Sequence, residues 1–310
     1  MKTKHAIDYS DAKVRREVLI RQRREIWTSE QIESLARHFG LRPGMKLLDA
    51  GCGYGYALRT WGRFCLPGGE LVGLDRDEKL LASAARFARQ ERLGRAARFV
   101  SGDICQMPLP VDTFDVTIAH VVFCHLKEPE KALDEMIRVT RRGGCVAVFD
   151  NAASDIGGAG WSNVREPTIA EKLENCAIAL RHSLGRKRLG LGDFSVGCYL
   201  PSWMSARGLR NVDARTNERV RWIAPPYSAP AQLTTYRNMK ERFRDLKPGS
   251  TYFDKALAEE LRAGGCRVTA IRRFFRLMRQ DDIRFRKAVA AGTAAFAGSG
   301  PFWCVWGFKP

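Results

Sequence analysis

The sequence predicts an α/β fold, doubly wound around a seven-stranded and mostly parallel sheet. Three observations predict it. Short apolar runs alternate with helical stretches between residues 46 and 150. Each of these runs ends in a polar group, in order Asp49, Asp75, Asp103, His120 and Asp150. The first run, residues 46–56 (KLLDAGCGYGY), opens into glycines at every second position. Strands joined by helical connections pair in parallel and gather ligands beyond their carboxyl ends. Chemistry is therefore expected along that polar edge.

The elements follow in chain order. Residues 10–39 carry Ala12, Val14, Val18 and Leu19, then Ile26, Ile32, Leu35 and Phe39, at helical spacing among many charges. Thr28 and Ser29 with Gln31 mark a second helix start, so two helices with a break near Trp27 are expected. Gly40 stops the second, and residues 42–44 turn the chain into the first strand. Gly51, Gly53 and Gly55 supply a tight turn into a helix near Tyr56, where bare backbone lets a ligand come close. The spacing is not that of a pyrophosphate-binding turn, because position 56 is tyrosine, and Asp49 would repel a pyrophosphate. An acid there suits a ligand that carries positive charge.

Residues 70–74 read as the second strand and 77–91 as a helix capped by Asp77. The third strand is 97–101, the fourth 114–119, a helix follows over 128–139, and the fifth strand is 145–149 after a turn at 141–144. Beyond 150 the rhythm changes. A glycine-rich start at 157–160 leads to a helix over 169–184 and a basic tail at 185–192. A helix at 201–206 and a strand at 212–222 resume the sheet, residues 225–300 read as largely helical and basic, and 302–308 (FWCVWGF) is the last strand. The expected organisation is a helical cap at 1–39, a core at 40–153, a helical lid insertion at 154–196, and the rest of the core at 197–310 with a helical insertion at about 225–300.

A chain of 310 residues with 45% hydrophobic content can bury a large core. No apolar run approaches the ~18 residues a bilayer span needs, and the start lacks a signal-peptide core, so a cytoplasmic protein is expected. The nine cysteines lie no closer than thirteen residues apart, which reads as free thiols and no metal site. The net charge of +18 is uneven: residues 151–310 hold 27 basic and 14 acidic groups, against 25 and 20 in residues 1–150. A basic half raises nucleic acid or an anionic substrate as partners.

In order and spacing, four segments resemble the motifs of the class I S-adenosylmethionine (SAM) dependent methyltransferases, in particular the small-molecule group with the ubiquinone and menaquinone C-methyltransferases. They are LLDAGCGYG, LVGLDRDEKLL, FVSGDICQMPL and DTFDVTIAHVVFCHL. The resemblance covers about residues 40–150 and implies a Rossmann-like core. It implies that Asp49 and the backbone at Gly51, Cys52, Gly53 and Gly55 hold the methionine moiety. Asp75, beside Arg76, would accept the ribose hydroxyls, since a carboxylate offers two acceptors to a vicinal diol. Asp103 and the Ile104 amide would read adenine, His120 would lie by the methyl group, and His125 matches a histidine at the end of the fourth motif.

Methyl transfer from a sulfonium requires alignment and water exclusion, and a base where the acceptor loses a proton. His120 and His125 are the candidate bases. Tyr9, Trp27, Phe123, Trp161 and Tyr199 are the candidate lining of the acceptor pocket, with residues 1–39 and 154–196 as its lid. The expected acceptor is a small aromatic or anionic molecule, and a homodimer is allowed. The alternative is a DNA or RNA methyltransferase, for which the basic half and Ala224-Pro225-Pro226-Tyr227 speak; that tetrapeptide follows the sixth strand, whereas the fourth-motif place is held by Ala119-His120. A nicotinamide oxidoreductase shares the strand-turn-helix, but the glycine spacing and Asp49 count against it.

Overall fold

The computed structural model describes residues 26–152, 160–217, 220–248, 250, 254–298 and 302–310. The chain divides into two compact units. The sheet unit comprises residues 27–152, 192–218 and 301–310. Its strands are β1 (Lys46–Ala50), β2 (Glu70–Asp75), β3 (Ala97–Ser101), β4 (Phe114–His120), β5 (Thr140–Asn151), β7 (Arg210–Thr216) and β10 (Phe302–Phe308). They lie in the order β3-β2-β1-β4-β5-β10-β7. Neighbours from β3 to β5 run parallel, and β10 is antiparallel to both β5 and β7.

Its helices are α1 (Ser29–His38), α2 (Tyr56–Trp61), α3 (Glu78–Gln90), α4 (Pro129–Val139) and α6 (Leu200–Ala206). Local chemistry sets their starts. The Thr28 side chain accepts the Gln31 amide and the Asp77 side chain accepts those of Lys79 and Leu80. Pro129 opens α4, where its missing N–H costs nothing. Burial then fixes the faces: Leu48, Val72, Phe114, Met136, Val148 and Val305 share one core cluster.

The second unit takes residues 153–191 and 219–300. Its helices are α5 (Ile169–Arg188), α7 (Pro230–Asp245), α8 (Asp254–Ala263) and α9 (Val268–Ala290), with a small antiparallel sheet of β6 (Gly160–Ser162), β9 (Phe296–Gly298) and β8 (Arg221–Ile223). Residues 153–191 and 219–300 hold 23 basic and 11 acidic groups, while the sheet unit holds 21 and 19. We therefore call it the basic unit.

Two expectations change. The sixth strand ends at Thr216, where pairing with β10 ends; Arg221–Ile223 pairs with β9 in the basic unit instead. The stretches read as two separate insertions meet in one body. Arg181 and Arg188 of α5 donate to the carbonyls of Gly265 and Ala263 (2.7 and 2.9 Å), and Ile178, Leu261, Cys266 and Ile271 share a core cluster. The backbones touch at glycines: a Cβ on Gly185 would stand 1.7 Å from the Glu260 carbonyl oxygen, and one on Gly264 1.8 Å from that of Arg181.

Candidate functional site

The turn after β1 is built from left-handed glycines, with φ of 74° at Gly51, 54° at Gly53 and 79° at Gly55. The amides of Gly51 and Cys52 both donate to the Leu74 carbonyl (2.7 and 2.8 Å), which ties the turn to the end of β2. The glycines differ in surroundings. A Cβ on Gly51 would meet the Val122 methyls at 2.7 and 2.8 Å, whereas one on Gly53 would have nothing within 4 Å. Gly51 is thus required by packing, and Gly53 keeps a space open.

The acids at the strand ends are held by amides. Asp49 is buried, and its Oδ2 accepts the Leu58 N–H at 2.9 Å, in the first turn of α2. Asp75 accepts the Gly53 amide on Oδ2 (2.8 Å) and the Asp77 amide on Oδ1 (2.9 Å), so one carboxylate links two strand-end turns. Burial pushes the Asp75 carboxyl above its ordinary range, against the lowering effect of the two amides. Cys52 is raised too, by burial first and then by Asp49 and Asp75, which leaves it an inert thiol. Asp103 is exposed and accepts the Cys105 amide at 2.8 Å; Ile104 is buried beside it, and Arg76 is exposed.

At the end of β4 the structure adds what sequence reasoning missed. The Trp27 indole N–H donates to His120 Nε2 at 2.9 Å, and both side chains are buried. Tyr56, Trp61 and Phe149 surround the same imidazole, with ring centroids 5.3, 6.0 and 5.4 Å away. An Nε2 that accepts a hydrogen bond belongs to a neutral ring whose proton sits on Nδ1. In this geometry the Nε2 of His120 is engaged by Trp27.

The chain then turns through Val121, whose φ of 56° is strained for a β-branched residue. Asp150 holds this turn. It is fully buried, accepts Val122 and Cys124 amides on Oδ2 (3.1 and 3.2 Å) and the Asn151 amide on Oδ1 (2.7 Å), and burial raises its pKa. Its signal in the sequence was an acid ending the most apolar strand, noted there without a role.

The structure brings Trp27 to His120. Phe123, expected in the acceptor pocket, is fully buried in the sheet unit's core, because the short turn Phe123–His125 points it inward. His125 is half-buried and meets the Phe194 ring edge-on at 5.9 Å. Tyr199 is 44% exposed and stacked on Trp203. Trp161 belongs to the basic unit, on β6. Tyr9 lies outside the described residues. Tyr227, of the Pro-Pro-Tyr segment, stacks on Tyr236 and donates its hydroxyl to the Ala294 carbonyl, a bend packed within the basic unit.

A parallel sheet with one antiparallel strand, a glycine turn after β1 and an acid ending β2 define a Rossmann-like cofactor-binding domain. Residues 48–148 match the family model described as a methyltransferase domain. The chain is 33% identical over 137 residues to cycloartenol-C-24-methyltransferase 1 of Oryza sativa subsp. japonica, covering 42% of this chain and 39% of that protein. It is 35% identical over 122 residues to a sterol 24-C-methyltransferase of Gibberella zeae, covering 39% and 32%. The chain thus spans about a third to two fifths of the length of these relatives. The YcgJ protein of Bacillus subtilis shares the fold, with a TM-score of 0.51 at 15% identity over 91% of this chain and 99% of that one. Residues 48–148 are a methyltransferase domain.

Proposed function

We propose that the chain transfers the methyl group of SAM to a small-molecule acceptor by direct displacement. One observation carries the reading: Asp75, at the end of β2, reaches across to the amide of Gly53, whose open side is where a Cβ would stand and a ligand can. A carboxylate has about four lone-pair sites. The Gly53 and Asp77 amides take two, and the remaining ones suit a vicinal diol. Asp103 and the Ile104 amide would take the adenine end, and Arg76 flanks the ribose site. Asp49, committed to Leu58, fixes the turn and lends negative charge to the methionine end.

When bound, SAM supplies an electrophilic methyl whose leaving group is built in, so the chain has to orient and exclude water. His120 acts in this proposal as a positioning residue, a neutral ring locked by Trp27 within an aromatic wall. A proton released by the acceptor then goes to His125 or to solvent. The relatives act, by name, on a sterol and on cycloartenol, so apolar polycyclic acceptors belong beside aromatic and anionic ones in the search. The lid role of residues 1–39 and 154–196, a homodimer and a cytoplasmic location remain parts of the proposal, open to proteolysis, light scattering and fractionation.

Calorimetry tests the cofactor. S-adenosylhomocysteine should bind in about the micromolar range and NAD should not; tight NAD binding would end the reading. Labelled SAM with a panel of sterols, aromatic acids, anionic metabolites and tRNA tests the acceptor, and methyl incorporation into tRNA alone would replace the small molecule by nucleic acid.

A further inference from the structure

Helix α5 of the basic unit carries an apolar ridge that is exposed among the described residues. Ile169, Leu173, Leu180 and Leu184 are 71, 66, 48 and 41% exposed, large values for aliphatic side chains on one helix. At 3.6 residues per turn these four, with Ala177, fall within about 80° of the helix circumference. They form one stripe, ~22 Å long at 1.5 Å per residue. The opposite side holds Ile178 and Gly185, which pack on α8. Beside the stripe runs a shallow groove lined by Ala177, Leu180, Leu184 and Gly264, with Arg181 at its rim.

The charge around the ridge is predominantly basic, with Lys172 paired to Glu166. Arg181 and Arg188 donate to main-chain carbonyls, which orients the guanidiniums without cancelling their charge. The acids of α5 are matched: Arg165 pairs with Glu171, and Arg273 with Glu174 at 3.1 Å. Val268, 50% exposed, follows Arg267 at the start of α9 and repeats the same pairing of apolar and basic groups.

We propose that this ridge docks on the surface of an anionic phospholipid bilayer, with the aliphatic side chains at the acyl boundary and the arginines among the phosphates. Charge complementarity favours this occupant, since residues 153–191 and 219–300 hold 23 basic against 11 acidic groups. No described helix is long and apolar enough to cross a membrane, so the contact is superficial. A second copy is disfavoured by magnitude. A stripe of ~22 by ~10 Å gives about 220 Å², against the roughly 800 Å² per partner of a stable interface, and it would bring two basic faces together. Nucleic acid would satisfy the arginines but offer nothing to four exposed aliphatic side chains. The inference rests on the ridge and its charge, and does not depend on which acceptor is methylated.

Flotation with vesicles tests it, using phosphatidylglycerol mixed with phosphatidylcholine and phosphatidylcholine alone. The wild-type chain should float with the anionic vesicles at ~0.1 M salt, less so as salt rises, and weakly with the neutral ones. The double variant Leu173→Glu/Leu180→Glu should lower that partition at least about tenfold while retaining its thermal transition; if the transition is lost, Leu173→Ser/Leu180→Ser serves instead. Absence of binding to anionic vesicles, or equal binding by wild type and variant, overturns the proposal. So does a dimer that the variant dissociates, which gives the ridge to a second copy, or tRNA binding that the variant weakens in place of vesicle binding.

Discussion

The two units put different groups at the places that define them, carboxylates at the strand ends of one and guanidiniums along the helices of the other, although Arg138 of the sheet unit also donates to the Met107 and Leu109 carbonyls. In the sheet unit, buried or half-buried carboxylates accept main-chain amides: Asp49 from Leu58, Asp75 from Gly53 and Asp77, Asp150 from Val122, Cys124 and Asn151. In the basic unit, guanidiniums donate to main-chain carbonyls: Arg181 to Gly265, Arg188 to Ala263, Arg286 to Phe243. A short carboxylate pinned by two or three amides is aimed to a fraction of an ångström. A guanidinium on a long stem spreads its charge over a surface. The first arrangement suits recognition of one small ligand, and the second suits a broad anionic partner.

The largest expected effect strikes the basic unit alone. Gly264→Ala puts a methyl 1.8 Å from the Arg181 carbonyl oxygen, a main-chain atom that cannot rotate away. It should cost that unit about 4 kcal/mol or more in urea unfolding and leave S-adenosylhomocysteine affinity within about twofold. Loss of cofactor binding together with stability would show that the two units are one cooperative body. Next comes Asp150→Ala, which strands three amides around a strained turn and should cost about 3 kcal/mol. Turnover in that variant should fall further than its folded fraction does, because the turn that carries His120 to His125 is released. A turnover loss that only matches unfolding would reduce Asp150 to a stabilising residue.

Asp75→Ala sharpens the comparison from the binding side. It should weaken S-adenosylhomocysteine by about 2 kcal/mol, near thirtyfold, through lost charge-assisted hydrogen bonds. The pH dependence follows from the raised pKa. A carboxyl held above its ordinary range takes up its proton at a higher pH than a free aspartate, so affinity should fall on acidification from above about pH 4, the ordinary range. Asp75→Asn should flatten that fall, and an unchanged profile would remove Asp75 from the ribose site.

How much of this was legible in the sequence follows the same division. Strands β1 to β4 were read within a residue or two because each is a short run ended by a polar group, buried in β1, β2 and β4 and only partly covered in the edge strand β3. Strand β5 begins at Thr140 and not at Cys145. Residues 141–144 look like a turn, yet they stay on the strand through a shift in register with β4, with φ of 70° at Gly143. The Trp27–His120 hydrogen bond joins residues 93 apart, and nothing local encodes it. The union of 153–191 with 219–300 escaped for the same reason, since Gly185 and Gly264 read as ordinary loop or helix-end glycines until their backbones are seen to touch.

The smallest effects come from two glycines two residues apart, and they separate folding from binding within one turn. Gly53→Ala pays the left-handed backbone cost of about 1 kcal/mol but meets no neighbour, since nothing lies within 4 Å of its Cβ. Its methyl enters the space assigned to the ligand, so cofactor affinity should drop by about tenfold or more while the thermal midpoint moves by only a few degrees. Gly51→Ala bears the same backbone cost at φ 74° and also drives a methyl into Val122 at 2.7 Å, so its loss should appear first as stability. Shortening the neighbour distinguishes the two causes: Val122→Ala should restore part of the stability of Gly51→Ala and none of the affinity of Gly53→Ala. If Gly53→Ala binds S-adenosylhomocysteine as tightly as the wild type, the open side of that turn is not where the cofactor lies.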